Sequence, residues 1–282
     1  MRRINKKIIA TAAAAATLAN TACNETEIIT VTTETGGYNV VEYMPAPGQF
    51  INDGYTCNTA EEAAAWAQER LDNGYFVSLG TFGGYIILKT ATPVKNVDGD
   101  DFSVSGNSFD GNSEPGVVWV SPDGMAWYRL KGEDSEFPDY SVTYFQTADG
   151  TPGDIVWKDN EGNTGKVSYL PQFHDNSYYP QWIGTSEYTL TGTRLENRLR
   201  FNEETGRWET GSYAAGYADI VADTDTGHPE ISAFDIDDAV DGNGSPASLG
   251  SISFIRIQSA VIAPESSPVI GEISTEITGL TY

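Results

Sequence analysis

From residue 75 onward the chain is cut into short β-prone runs by turn dipeptides, and this punctuation limits the fold more than any other feature. Tyr75–Leu79, Tyr85–Lys89, Phe102–Ser105, Val117–Ser121 and Ala126–Leu130 are separated by Gly83-Gly84, Asp98-Gly99, Asp110-Gly111 and Asp123-Gly124. Such dipeptides reach the backbone conformations of tight turns at little cost, so each marks a hairpin or a sharp loop. Tyr140–Gln146, Ile155–Lys158, Lys166–Leu170, Tyr188–Leu195, Ile252–Ile257 and Val269–Thr278 continue the pattern, with Asp159–Asn163 as a hairpin loop. One helix is well signed. Thr59 caps it, Glu62 completes a capping box, Gly74 stands past its end, and Ala60, Ala63, Ala64, Ala67 and Leu71 recur at helical spacing. The expected architecture is all-β, a jelly-roll-like β-sandwich with one or two short helices, built as a single domain over residues 40–282.

The first residues read as an address. Arg2, Arg3, Lys6 and Lys7 precede an apolar stretch from Ile8 to Ala19, too short to span a bilayer, so residues 1–22 are expected to be a signal peptide. Ala22-Cys23 suits cleavage before Cys23 and lipidation of that thiol, while Asn20 departs from the Leu usual three places before such a Cys. Residues 23–39 then form a lipidated tether or an edge strand. Plain secretion with cleavage after Ala22 is the alternative, and it would let Cys23 pair with Cys57.

Charge narrows the partners. Lys plus Arg number 16 and Asp plus Glu number 40, a formal net charge of −24. Without the four basic residues of the leader the balance is 12 against 40, or −28. A chain this acidic repels nucleic acid and anionic lipid, so membrane contact is expected only through the lipid anchor. Two His and two Cys cannot form a His₃ or Cys₄ zinc centre. Asp98, Asp100 and Asp101, and likewise Asp223 and Asp225, lie in turn-like loops that miss the EF-hand register, and turn formation explains them without calcium. No cofactor or metal is expected.

Catalytic patterns are weak. No G-x-S-x-G string occurs, His228 precedes Pro229 in a polar turn, and no spacing singles out two carboxylates for glycoside hydrolysis. The chain is therefore expected not to be an enzyme. Aromatic residues invite a binding hypothesis instead. Phe173, His174, Tyr178, Tyr179 and Trp182 crowd the proline-punctuated stretch Pro171–Trp182, which reads as a long ordered loop. Rings on such a loop form either a recognition surface or the glue that holds the loop down. Trp208, Tyr213 and Tyr217 make a looser second group, interleaved with Gly206, Gly211 and Gly216.

Several strings resemble a family of Bacteroidota cell-surface lipoproteins. They are Glu42–Phe50 (EYMPAPGQF), Gly80–Ile86 (GTFGGYI), Gly106–Gly116 (GNSFDGNSEPG), Trp127-Tyr128 with Leu130-Lys131-Gly132, Gln172-Phe173-His174, and Tyr178-Tyr179-Pro180 with Trp182. Phe234-Asp235-Ile236 and Phe254-Ile255-Arg256-Ile257 are similar to strings in jelly-roll, galactose-binding-like domains of bacterial surface proteins. Arg129 stands where that family string has an acid. The resemblance implies a lipid-anchored protein on the outer membrane's outer surface, working beside a TonB-dependent transporter. Some such loci serve vitamin B12 uptake, with BtuH-type B12-binding lipoproteins, so a corrinoid is the leading ligand. A glycan is the alternative, and a structural or adhesive surface role is third. If Cys23 is lipidated, the protein partitions with membranes and Cys23→Ala releases it to the soluble fraction; unchanged partitioning of that variant overturns the anchor.

Overall fold

The structure is a computed structural model, and it describes residues 37–108, 111–220, 231–264 and 267–282. The leader, Cys23, Asp110, Asp223, Asp225 and His228 lie outside those residues. The fold is all-β, a sandwich-like arrangement of sheets in which, among the described residues, every strand-to-strand ladder is antiparallel and one α-helix is present. A seven-stranded sheet lies at its centre. Its order is Tyr38–Met44, Tyr85–Lys95, Ser251–Ser259, Gly116–Ser121, Tyr128–Leu130 and Ala239–Val240, with Tyr217–Ala218 also pairing onto Gly116–Ser121. The edge strand Tyr38–Met44 therefore runs across the boundary expected at residue 40.

Alternation along the strands gives the sheet two buried faces. Ile86, Leu88, Val118, Val120, Ile255 and Ile257 point into the larger core, where they meet Ala63, Ala67 and Leu71 of the helix Ala60–Asp72. The small sheet Ile231–Phe234, Phe102–Ser105 and Gly279–Thr281 adds Phe102, Val104, Phe234 and Leu280 to that core. A separate four-stranded sheet runs in the order Glu187–Leu195, Glu136–Phe145, Ile155–Asp159, Thr164–Val167. Its Val142, Tyr144, Ile155, Trp157 and Leu190 form a second core with Ala46 and Phe82.

The helix has the caps its sequence calls for. Thr59 Oγ1 accepts from Glu62 N–H at 3.2 Å, and Glu62 reaches back to accept from Asn58 N–H at 2.7 Å. Beyond its end, Gly74 takes φ +72° and Tyr75 N–H donates to Arg70 O. Besides this helix, the described residues hold one 3₁₀ turn, Ile236–Asp238. Val269–Thr278 is not the strand expected. Only Glu276–Ile277 forms a ladder there, Gly271 adopts φ +80° in an isolated bridge to Ser267, and the segment buries Glu272 and Glu276 as well as Ile273 and Ile277. A two-stranded hairpin, Arg200–Asn202 with Arg207–Glu209, appears where no strand is expected.

The loop between Val77–Ser78 and Tyr85–Lys95 is held against residues 45–48 by Ala46 N–H to Leu79 O (2.9 Å) and Thr81 N–H to Pro47 O (3.2 Å). Gly80 takes φ +68°, and a Cβ there would overlap the carbonyl oxygen of Ala46. Neither the conformation nor the space suits a side chain. Gly80→Ala is expected to destabilise the fold by at least about 2 kcal/mol in chemical denaturation. A loss within experimental error shows that this crossing is loose.

Candidate functional site

A cavity of about 680 Å³ opens between the hairpin Arg200–Glu209 and the segment 269–276. That volume lies within the range of small-molecule sites. Phe201 and Trp208 form one wall. They are cross-strand partners in the hairpin, with ring centroids 5.7 Å apart, and Phe201 remains 49% exposed. The hairpin is short, yet its turn is well built. Asn202 Oδ1 accepts from the N–H groups of Glu204 and Thr205, Gly206 N–H donates to Asn202 O, and Arg200 pairs with Glu209 at 3.1 Å. Phe50, Phe76, Val269 and Ile270 supply the opposite apolar wall, with Phe50 edge-on to Phe76 at 5.2 Å.

The polar part of the lining is amide and carboxyl. Gln49, Asn107, Asn112, Glu114, Thr210 and Glu276 all border the cavity. Asp219 organises them from below. It is 1% exposed and holds φ +57°, and its Oδ1 accepts from Asn107 N–H while Oδ2 accepts from Glu276 N–H, both at 2.8 Å. Its own carbonyl accepts from Glu114 N–H at 3.0 Å. Asn107 Nδ2 then donates to Glu276 Oε2 at 2.6 Å, and Glu114 Oε1 accepts from Ser274 N–H at 3.3 Å. Gln49 is fixed by Glu272, whose Oε1 accepts its backbone N–H at 2.7 Å, and its Nε2 donates to Ile270 O at 3.1 Å.

Four acids, Glu114, Asp219, Glu272 and Glu276, thus collect around one end of the cavity. Burial, with Glu276 and then Asp219 close by, holds the Glu114 carboxyl well above the usual carboxylate range. Burial alone pushes Glu272 up to about 7, against the opposing effect of its backbone hydrogen bonds. Below neutrality the pair therefore keeps its protons and presents O–H donors as well as acceptors.

The expected recognition loop is placed differently. Among its five candidates, Tyr178 and Tyr179 are 0% and 1% exposed, packed in the second core beside Tyr169 and Tyr188. Enclosed by protein, these two rings offer no face to a ligand. Asn52 Nδ2 binds Ser177 O and Tyr179 O at 2.7 and 2.8 Å, and Tyr179 donates its hydroxyl to Thr185 O at 2.8 Å, which pins the loop at both ends. Trp182 packs on the larger core, 6.0 Å from the Tyr43 ring. His174 lies edge-on to Phe50 at 5.3 Å, with Nδ1 at 3.4 Å from Asp53 Oδ2, so it buttresses the cavity wall from behind. Phe173 alone is broadly exposed, at 60%. Tyr178, Tyr179 and Trp182 thus pack the loop against the protein, while Phe173 stands open to solvent. Of the looser aromatic group, Trp208 reaches the cavity, while Tyr213 and Tyr217 are buried in a third core with Val117 and Leu195.

A carboxyl with a raised pKa penalises the folded state once it ionises. For Glu272 the penalty is absent below its model-compound value of 4.5 and complete above about 7, where it reaches about 3 kcal/mol. Relative to Glu272→Gln, the wild-type protein is therefore expected to lose stability as pH rises through that window, in urea titrations at successive pH values. Parallel curves for the two proteins, or a wild type that gains on the variant, refute this placement of the charge.

The chain matches no family model and no curated protein sequence.

Proposed function

We propose that this chain is a surface-anchored ligand-capture module and that it holds an uncharged nutrient in the cavity between the Arg200–Glu209 hairpin and residues 269–276. The observation that carries the reading is the composition of that cavity. Flat apolar rings, Phe201 and Trp208, face a lining of amides and two carboxyls, of which Glu114 favours its protonated form, with Arg207 the one basic side chain on the wall. Rings bind a ligand's apolar faces, and fixed amides and carboxyls orient its polar rim. A B12-type corrinoid, broad and rimmed with amides, suits such a lining, and the lipoprotein resemblance supports the same ligand class. The role is capture without turnover, delivering to a TonB-dependent transporter in the outer membrane. No imidazole or thiol borders the cavity, and Asn107 and Ser274 engage the two cavity-lining carboxyls.

A glycan is the second reading, favoured by one feature. The Trp208 ring stands across from carboxyl and amide groups, the pairing that recognises a sugar's apolar face and its hydroxyls.

Titration of the full chain with cyanocobalamin is expected to quench tryptophan fluorescence saturably. Trp208→Ala should weaken binding by about 1–3 kcal/mol, as for truncation of a central anchor. Tyr179→Ala should instead cost stability, since its ring is core. Affinity should vary little with salt, because the contacts are stacking and neutral hydrogen bonds. Saturable binding of a neutral oligosaccharide without cobalamin binding establishes the glycan reading, and binding of neither removes both.

A further inference from the structure

A second cavity, of about 460 Å³, lies on the face of the central sheet opposite the helix, roofed by the strand Glu187–Leu195 and the turn at residues 241–244. Trp119, Arg129, Arg256 and Gln258 line it from the sheet. These four side chains contribute Trp119 Nε1, Arg129 Nε, Arg256 Nε and Gln258 Oε1, four of the ten buried side-chain polar atoms without a hydrogen-bond partner among the described residues. Leaving one such group unpaired is costly, and four on residues that line one space leave it with hydrogen-bonding capacity to offer a ligand.

Each group is held in place. Gln258 is 1% exposed, and its Nε2 donates to Gly83 O at 2.7 Å and Thr191 O at 3.1 Å, so its oxygen is the free acceptor. Arg129 is fixed by Glu136 at 2.9 Å and by Thr193 Oγ1 at 3.0 Å, which neutralises its charge. Arg256 is different. Its guanidinium stacks 4.2 Å over the Tyr85 ring, and it makes no hydrogen bond or ion pair among the described residues. The acid nearest to it in effect, Glu42, accepts the Tyr85 hydroxyl instead. Burial pulls the Arg256 pKa down, yet a guanidinium keeps its proton at neutral pH. Asp139 and Asp241 stand at the rim, the latter tied to the N–H groups of Asn243 and Ser245.

We propose that this cavity binds a small hydroxylated monocarboxylate, a sugar acid, with its carboxylate on Arg256. A planar carboxylate matches the guanidinium fork. Trp119 Nε1 donates to a ring or hydroxyl oxygen, and Gln258 Oε1 accepts from a hydroxyl. One cation without an ion pair among the described residues, with two acids at the mouth, suits a single negative charge and disfavours a phosphate dianion. This site is independent of the aromatic cavity and of its ligand.

Calorimetric titration of the full chain with sodium glucuronate tests the assignment, with glucose as the neutral analogue and inorganic phosphate as the competing anion. Saturable glucuronate binding is expected, at least about tenfold tighter than glucose or phosphate, with Arg256→Gln weakening it roughly ten- to a hundredfold. Thr191→Trp, at the exposed rim, leaves both arginines in place and should also weaken it by blocking entry. Trp208→Ala should leave it unchanged. If Arg256→Gln fails to fold, the Thr191→Trp result decides. Absence of glucuronate binding at millimolar concentration, equal binding of glucose, tighter binding of phosphate, or full affinity in a folded Arg256→Gln protein overturns the proposal.

Discussion

Burial of both faces of one strand, Ser251–Ser259, is the constraint on which the rest of the structure depends. Its neighbours are Tyr85–Lys95 on one side and Gly116–Ser121 on the other, so its backbone is paired along both edges. A two-residue period sends Ile255 and Ile257 into the core beneath the helix and Arg256 and Gln258 to the opposite face. A slip of one residue would bury a guanidinium among aliphatics and expose the isoleucines, so the register is strongly specified. Gln258 also joins the layers, because its amide bridges the Gly80–Gly84 loop to the strand Glu187–Leu195. Gly192 makes room for that amide, since a Cβ there would meet the Gln258 side chain.

Local features were legible where local physics decides the outcome. The helix follows from Thr59, Glu62 and Gly74, and Phe102–Ser105 has the limits its β-branched and aromatic residues suggest. The stretch 171–182 is irregular, as its prolines and lack of period imply. Whether its rings face solvent is another kind of question. The answer depends on Asn52 and Ile51, about 125 residues away in the chain, which anchor Ser177, Tyr179 and Asn176. No pattern within the loop carries that information.

The cavity shows the same division. Trp208 stood out as an aromatic among glycines, but its partner Phe201 sits in a three-residue strand flanked by Asn and Arg, too short for alternation to register. The acids at the cavity's end come from positions 114, 219, 272 and 276, and only the last two are neighbours in sequence. Among 40 acids none of these is distinguished by spacing; what distinguishes them is burial, a property of the finished fold. Val269–Thr278 misleads for a related reason. Its apolar residues suggest a strand, yet the ladder is confined to Glu276–Ile277, while the Glu272 side chain accepts from Gln49 N–H and the Glu276 side chain from Asn107 Nδ2.

A chain of net charge −24 is expected to keep its carboxylates in water, where solvation favours the charged form. This fold instead withdraws a few acids, and the consequences appear at two separate cavities. Beside the aromatic cavity, burial and crowding favour the protonated form of Glu114 in the lining and of Glu272 behind it. At the sheet cavity two guanidiniums are held instead, Arg129 paired with Glu136 and Arg256 over the Tyr85 ring with Glu42 acting on it beyond ion-pair distance. The acidic exterior would repel an anion at long range, but salt screens that field within about 10 Å, and close contact with one fixed guanidinium then dominates. The two cavities differ in ligand chemistry because the first is lined from the hairpin and loop segments, whereas period-two alternation along Ser251–Ser259 turns Arg256 and Gln258 toward the second.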